Sequence, residues 1–136
     1  MNNNFWKPPS YGLSLDAVEK LEIFRVADRE IISEVNWPAS FWNSTSDRII
    51  LDGEAAEKIM NLFKSLKIHE PARCHMPPWG MAIYMKLALI YTVTICFECS
   101  NCYVYSKGEK KLRAFDTSEI GAIELLKCFQ TLLPIN

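Results

Sequence analysis

The sequence predicts an α+β domain in which two helices pack against an antiparallel sheet. Apolar residues recur at helical spacing in two segments, they alternate with a period of two in several others, and turn-forming residues separate these segments. The chain of 136 residues fits a single globular domain with its own core. We expect residues 1–12 to form an N-terminal arm of that domain, because Pro8, Pro9 and Gly12 interrupt regular structure.

The first half of the chain predicts three strands and a helix. Apolar residues from Leu21 onward indicate a strand, residues 29–35 predict a second strand paired with it, and residues 48–51 predict a short third. Asp52 stands where a helix N-cap is favoured, and the apolar spacing after it predicts a helix that ends near residue 67. The positions expected to be buried in this helix are Ala56, Ile59, Met60, Phe63 and Leu66.

The second half of the chain begins with four predicted strands. Residues 81–86 and 89–97 predict one antiparallel pair, and residues 102–106 and 111–115 predict another pair that flanks a glycine-containing turn. Alternate side chains of a strand point to the same face of the sheet. One face of residues 89–97 is therefore expected to carry Tyr91, Val93, Ile95 and Phe97, and the other Ile90, Thr92, Thr94 and Cys96.

A second helix is predicted after the last strand. Thr117 or Ser118 is its expected N-cap, and Pro134 is expected to end it. The side chains expected on its buried face are Ala122, Leu125, Leu126, Phe129 and Leu133. Strands in succession, each group followed by a helix, indicate an antiparallel α+β domain rather than alternating parallel units.

Composition and charge exclude several classes of protein. The net charge of −1 offers no electrostatic footprint for nucleic acid, and the apolar run at residues 87–97 is too short to span a bilayer. The first dozen residues lack the apolar region of a signal peptide, so we expect a cytoplasmic protein that binds neither nucleic acid nor membrane. Cytoplasmic thiols stay reduced, and the odd number of five cysteines fits a disulfide framework poorly. Disulfides are therefore the least expected state of these cysteines.

Three cysteines stand close together in "ICFECSNC", and a fourth precedes a histidine in "RCHMPPWG". Because zinc takes about four thiolate or imidazole ligands in a tetrahedron, one hypothesis is a small cytosolic zinc-binding domain. Its ligands would come from Cys74, His75, Cys96, Cys99 and Cys102. The competing interpretation is that the cysteines pack in the core as small apolar residues. We favour the second, since a single C-x-x-C after a strand is a weak metal signal, and we expect no cofactor.

Catalytic interpretations have less support in the sequence. A thioredoxin-like C-x-x-C requires an adjacent helix N-terminus, whereas this motif follows one predicted strand and leads into another. A nucleophilic cysteine would require His75 to reach Cys96 or Cys99 across strands. The sequence contains neither a phosphate-binding glycine-rich loop nor an H-E-x-x-H motif. We therefore expect a protein that is not an enzyme.

The two cysteine-bearing stretches together resemble a motif of small, single-domain bacterial proteins, C-x-x-P-x-x-G … I-C-F-E-C. Cys74, Pro77 and Gly80 match its first half, and residues 95–99 match its second half. The pattern is similar to that of immunity proteins encoded beside polymorphic or contact-dependent growth-inhibition toxins. The resemblance covers under a third of the chain. It implies a compact domain that neutralises a cognate toxin one-to-one by covering its active site.

The resemblance also implies a partner, a toxin domain that we expect to be a nuclease. Carboxylates of the immunity protein would face the basic surface of the nuclease, and tryptophan-centred patches would supply the contacts that slow dissociation. The candidate toxin-binding residues are Asp28, Glu30, Glu34, Trp37, Phe41 and Trp42. In the competing interpretation the same rings cover the edge of the core and the acids face water, and the sequence leaves both open.

Overall fold

The computed structural model describes residues 18–26, 45–67, 77–86, 88–106 and 109–135. These residues form a six-stranded antiparallel sheet and two helices, so the predicted α+β class is confirmed. In chain order the elements are β1 (Lys20–Val26), β2 (Thr45–Asp52), α1 (Gly53–Lys64), β3 (Trp79–Met85), β4 (Ala88–Cys96), β5 (Asn101–Ser106), β6 (Glu109–Ala114) and α2 (Ile120–Leu132).

The strands lie in the order β2-β1-β3-β4-β5-β6. Strands β3 to β6 follow one another as a meander, which contains the two predicted strand pairs and adds the pairing of β4 with β5. Strand β1 lies inside the sheet, where Ile23 is opposite Ile49 on one side and Met81 on the other. A strand has only two hydrogen-bonding edges, so the predicted pairing of β1 with residues 29–35 is wrong. Residues 29–35 themselves lie outside the described part of the chain.

Helix α1 begins directly after β2. Gly53, its first residue, has a φ of +55°, a left-handed conformation that glycine adopts without steric cost. Asp52 occupies the N-cap position in an extended conformation, but its side chain makes no capping hydrogen bond. The helix ends at Lys64, three residues before the predicted end, and Leu66 is nevertheless buried. The predicted buried face is confirmed at Ala56, Ile59, Met60, Phe63 and Leu66.

Helix α2 begins at Ile120, one residue later than an N-cap at Ser118 would predict. The N-cap is Glu119, because Ser118 is engaged by Asp116: its backbone N–H and its hydroxyl both donate to the carboxylate, at 2.9 and 2.6 Å. Side-chain bonds of this local kind compete with capping. The helix ends at Leu132, before Pro134 as predicted. Of the five side chains expected on the buried face, Leu126 is half-buried and the others are buried.

An aromatic cluster joins the sheet to the second helix. The Trp79 ring stacks on Phe129 with 5.4 Å between ring centroids, and Phe97 meets both rings edge-on at 6.1 Å. Phe115 closes the cluster against Phe97 at 5.7 Å. Aromatic pairs at these distances stabilise a core beyond the area that they bury. The end of α2 is thereby fixed over β3 and the end of β4.

Both faces of the central strands exclude water. The face that packs on α1 and α2 carries the main apolar core. Residues on the opposite face are buried as well, among them Phe24, Thr92, Thr94 and Asn101. No helix in the described part of the chain has the length and apolarity that a membrane crossing requires.

Candidate functional site

The turn between β4 and β5 is the centre of the cysteine-rich motif. The backbone N–H of Ser100 donates to the Phe97 carbonyl at 3.2 Å, and Ser100 has a φ of +56°. Its carbonyl in turn accepts a 2.9 Å hydrogen bond from the Phe115 N–H. The turn is thus stabilised by a hydrogen bond within it and by a second one from Phe115, which follows β6.

The two halves of the predicted motif meet in the structure. Trp79 is opposite Ile95 and Gly80 is opposite Thr94 where β3 pairs with β4. The carbonyl of Pro78 accepts a 2.9 Å hydrogen bond from the Val26 N–H, so the first half is also fixed to β1. Sequence spacing alone could not show that the first half of the motif contacts β1. The described motif residues form one structural unit at one end of three neighbouring strands.

Cys96 and Cys102, two cysteines of this unit, do not converge. Where β4 pairs with β5, Cys96 is opposite Asn101, and Cys102 is opposite Ile95 in the adjacent residue pair. Adjacent positions of a strand point to opposite faces of the sheet, so the two thiols lie on opposite faces. Cys102 belongs to the core beneath the helices, and both residues are fully buried. The architectural role expected for these two cysteines agrees with this placement.

Cys99 is disulfide-bonded, whereas Cys96, Cys102 and Cys128 are free. The expectation that the cysteines are all reduced is therefore wrong for the structure. The backbone N–H of Cys99 donates to the Cys96 sulfur at 3.3 Å, so the Cys96 thiol lies against the backbone of Cys99. Burial raises the pKa of the Cys102 thiol well above its ordinary value, so this thiol is held in its unreactive neutral form.

The zinc hypothesis meets two geometric obstacles. Zinc binds thiolate sulfur, and the sulfur of Cys99 is engaged in a disulfide. The opposite orientation of Cys102 removes it from any site that includes Cys96. Cys74 and His75, the remaining predicted ligands, lie outside the described residues, and within the described ranges no three His, Cys, Asp or Glu side chains are grouped to hold a metal. A zinc site that uses Cys99 would require this cysteine to be reduced, and its ligands could not include both Cys96 and Cys102.

The predicted toxin-binding residues all fall in residues 27–44, outside the described part of the chain. These are Asp28, Glu30, Glu34, Trp37, Phe41 and Trp42. The structure does describe the residues on either side of this segment, at the end of β1 and the start of β2. Val26 pairs with Thr45, and Arg25 forms an ion pair with Asp47. Residues 27–44 therefore leave and re-enter the sheet side by side, at the end of the β1–β2 pair.

A charged network lies on β1, β2 and β3 on the face away from the helices, and the sequence analysis missed it. The Glu22 carboxylate, with a side chain only 11% exposed, is 3.5 Å from Arg48 and 3.8 Å from Lys20. Burial, followed by the hydrogen bond to Glu22, raises the pKa of the Tyr84 hydroxyl. Lys20 also lies 4.2 Å above the Tyr84 ring centroid. A carboxylate inside the apolar run of β1 was the available signal, since such a group is rarely buried without partners.

Two concavities flank helix α1. An open depression of about 700 Å³ is bordered by Glu19, Glu54 and Glu57, together with Lys64. A smaller groove of about 300 Å³ lies between α1 and α2, over Leu51 and beside the half-buried Cys128. Neither brings together the residues that the sequence predicted for a site.

Comparison of the chain with protein-family models, with curated proteins and with solved structures finds no match in any of the three.

Proposed function

We propose that this chain is an immunity-type protein, which binds a cognate bacterial toxin domain and blocks its active site. The observation that carries the proposal is the motif: it resembles that of small bacterial immunity-type proteins, and its two halves adjoin where β3 pairs with β4. In this proposal the chain acts by binding alone, without catalysis and without a cofactor.

The fold supports this proposal by fixing both ends of residues 27–44 to the sheet. These eighteen residues separate the end of β1 from the start of β2. Strand β1, which precedes these residues, lies inside the sheet and is buried on both faces, at Ile23 on one and at Phe24 on the other. Binding residues are disproportionately carried on connections that a rigid scaffold positions. Residues 27–44 are therefore our proposed toxin-binding segment.

The composition of this segment suits a basic partner. Asp28, Glu30 and Glu34 provide carboxylates, which would steer association with a nuclease whose substrate groove is positively charged. Trp37 and Trp42 provide large rings of the kind that dominate binding energy in the centre of interfaces. We propose a nuclease domain as the partner and the bacterial cytoplasm as the place of action.

The test is co-expression with the toxin domain encoded beside this gene. We expect a one-to-one complex in size-exclusion chromatography with light scattering, loss of the toxin's nuclease activity in the complex, and survival of cells that carry both proteins. A variant with Glu57→Lys, an exposed change on α1 outside residues 27–44 of the sequence, is the matched control and should protect fully. A toxin that remains unbound and active beside the folded wild-type chain would refute the proposal.

A further inference from the structure

We propose that two copies of this chain associate through the outer edge of β2, the side not paired with β1, as antiparallel strands about a two-fold axis at Ile50. The inference goes beyond the proposed function and does not depend on it. It assigns an interaction surface, residues 48–52, and a partner, a second copy of the same chain. One toxin domain per copy remains the expected ratio.

Strand β2 is the last strand on one side of the sheet. Within the described ranges β1 is its one partner strand, so no described strand covers its outer edge. The side chains of Arg48 and Ile50 are exposed there, Ile50 to 59%. Edge strands usually carry lysine, proline or a bulge that prevents pairing with another chain. Residues 48–52 contain neither lysine nor proline, and their register with β1 is regular.

The hydrogen bonds of β1 show which backbone groups of β2 point outward. The Val26 N–H donates to the Pro78 carbonyl, and this pair continues the register of β1 with β3. Successive residues of a strand direct their N–H and C=O groups to alternate sides, so the even-numbered residues of β1 bond to β3 and the odd-numbered residues bond to β2. Residues 49 and 51 lie opposite odd-numbered residues of β1 and bond to it. The backbone groups at the outer edge are therefore those of Arg48, Ile50 and Asp52.

Pairing about Ile50 brings complementary side chains together. In this register Ile50 is opposite Ile50 of the second copy, and Arg48 is opposite Asp52 of the second copy. Each contact between unlike residues occurs twice in a symmetric pair, so two ion pairs flank a central apolar pair. On the other face of the sheet, Ile49 is opposite Leu51 of the second copy. Cross-strand pairs of opposite charge and of β-branched residues stabilise a sheet.

The neighbouring registers that also satisfy the outward backbone groups match the side chains less well. Moving the axis to Ile49 places Arg48 opposite Ile50, and moving it to Leu51 places Ile50 opposite Asp52. Each shift sets a charged side chain against an isoleucine at both symmetric positions. The order of charged and apolar residues in β2 therefore favours the register about Ile50.

Both charged side chains are accessible to a second copy. The Asp52 side chain is exposed and makes no capping hydrogen bond with α1. The Arg48 guanidinium lies 3.5 Å from Glu22 and 4.9 Å from the Phe24 ring centroid, and 51% of the Arg48 side chain remains exposed. A guanidinium has five N–H donors, so Arg48 can bind Glu22 and an opposing carboxylate together.

The opposite edge of the sheet does not suit a second copy. Strand β6 is the last strand there, and it carries the basic residues Lys110, Lys111 and Arg113. If two copies paired through β6 about Leu112, Lys111 would be opposite Arg113 of the second copy. Like charges directly opposite each other destabilise a strand pair. The two edges of the sheet thus provide a comparison within one molecule.

Symmetric pairing through β2 would join the two six-stranded sheets into one continuous sheet. The helices of both copies would lie on the same face of it, because opposite residues of paired strands share a face. The contact uses the same residues of both copies and closes on itself, so association stops at a dimer. Only five residues of each copy pair, and a contact of this size predicts a weak, reversible dimer.

Sedimentation velocity of the full-length wild type at increasing concentration tests the association. We expect a dimer whose fraction rises with concentration. Ile50→Lys sets two lysines opposite each other at the axis and should weaken association by about tenfold or more. Leu112→Lys, at an exposed apolar position of the other edge strand, is the matched control and should leave association unchanged. A wild type that stays monomeric or forms open-ended oligomers, or equal effects of the two lysines, would overturn the proposal.

A charge exchange tests the register. Arg48→Glu alone and Asp52→Lys alone should each weaken the dimer, because like charges are then opposite each other at both symmetric positions. An equal mixture of the two variants should associate again, since each acidic side chain then lies opposite a basic one. Circular dichroism shows that each variant is folded. A mixture of folded variants that stays monomeric contradicts the register about Ile50.

Hydrogen exchange of the wild type tests the same surface without any substitution, and it decides the question if Arg48→Glu does not fold beside Glu22. The Ile50 N–H points to the outer edge of β2 and should exchange more slowly as the dimer forms. An exchange rate of the Ile50 N–H that does not change with concentration would overturn the proposal.

Discussion

The indole N–H of Trp79 donates a 2.8 Å hydrogen bond to the backbone carbonyl of Leu133, 54 positions away in the sequence. Both residues are buried, and the bond links β3 to the end of α2. We expect Trp79→Phe to lower the free energy of unfolding by about 2–4 kcal/mol, because it leaves a buried carbonyl unpaired and a gap beside it. Urea denaturation measures this change. A stability equal to that of the wild type would show that the hydrogen bond contributes nothing net.

Phe63 anchors α1 to the core and is fully buried. We expect Phe63→Ala to cost about 3–5 kcal/mol, the usual range for truncating a buried phenylalanine. Lys58→Ala, an exposed change in the same helix, is the control and should stay within about 0.5 kcal/mol of the wild type. Equal effects of the two substitutions would contradict the observed orientation of the helix.

Gly121 allows the start of α2 to approach the end of α1. A Cβ at this position would lie 2.3 Å from the Ser65 hydroxyl oxygen, which donates to the Leu62 carbonyl at 2.6 Å. Alanine in a helix gains about 1 kcal/mol over glycine, and we expect Gly121→Ala to lose this gain to the clash. Adding Ser65→Ala should relieve it, with a coupling of about 0.5–3 kcal/mol in a double-mutant cycle. Strict additivity in chemical denaturation would mean that the Ser65 side chain simply rotates away.

Zinc content separates the metal hypothesis from the architectural one. We expect protein purified without chelator to contain well under one zinc ion per chain, because Cys99 is bonded and Cys102 faces away from Cys96. Elemental analysis on reduced and oxidised samples gives the measurement. Stoichiometric zinc whose removal by a chelator unfolds the protein would establish a structural site instead.

The proposed interface predicts two kinds of variant. Trp42→Ala or Trp37→Ala should weaken the toxin complex by at least ~2 kcal/mol while the free protein stays folded. Reversal of Glu30 or Glu34 to lysine should mainly slow association, and added salt should reduce that effect. Stopped-flow association and thermal unfolding of the free variants distinguish the two. If the aromatic variants unfold, the rings belong to the core; if all variants protect cells fully, the contact lies elsewhere.

The elements that the sequence predicted well are those specified by local patterns. The apolar positions of α1, from Ala56 to Phe63, recur at helical spacing, and that spacing alone places them on one face. The β3–β4 and β5–β6 pairs are joined by short connections, so their partners are neighbours in sequence. Failures arose where local signals compete. Ser118 is a good capping residue, yet its hydrogen bonds to Asp116 move the helix start to Glu119.

The remaining features depend on distant contacts that no pattern specifies. The pairing of β1 with β3 joins Leu21 to Ile83, so residues 29–35 could not be excluded as a partner from the sequence. The spacing of Cys96, Cys99 and Cys102 does not reveal that Cys99 lies within the turn from Phe97 to Ser100, nor that the strand pleat puts Cys102 on the face opposite to Cys96. Glu22 looked like an ordinary strand residue, because its partners Arg48 and Tyr84 come from two other strands.

The position of β1 inside the sheet has a consequence for synthesis of the chain. When β1 and β2 leave the ribosome, the strand that covers the other edge of β1 does not yet exist, since Lys20 pairs with Tyr84. The meander from β3 to β6 has only short connections to close and can pair as it is made. The nascent pair of β1 and β2 must therefore wait with the β3-facing edge of β1 open, a state that exposes it to chaperones and to pairing with other chains.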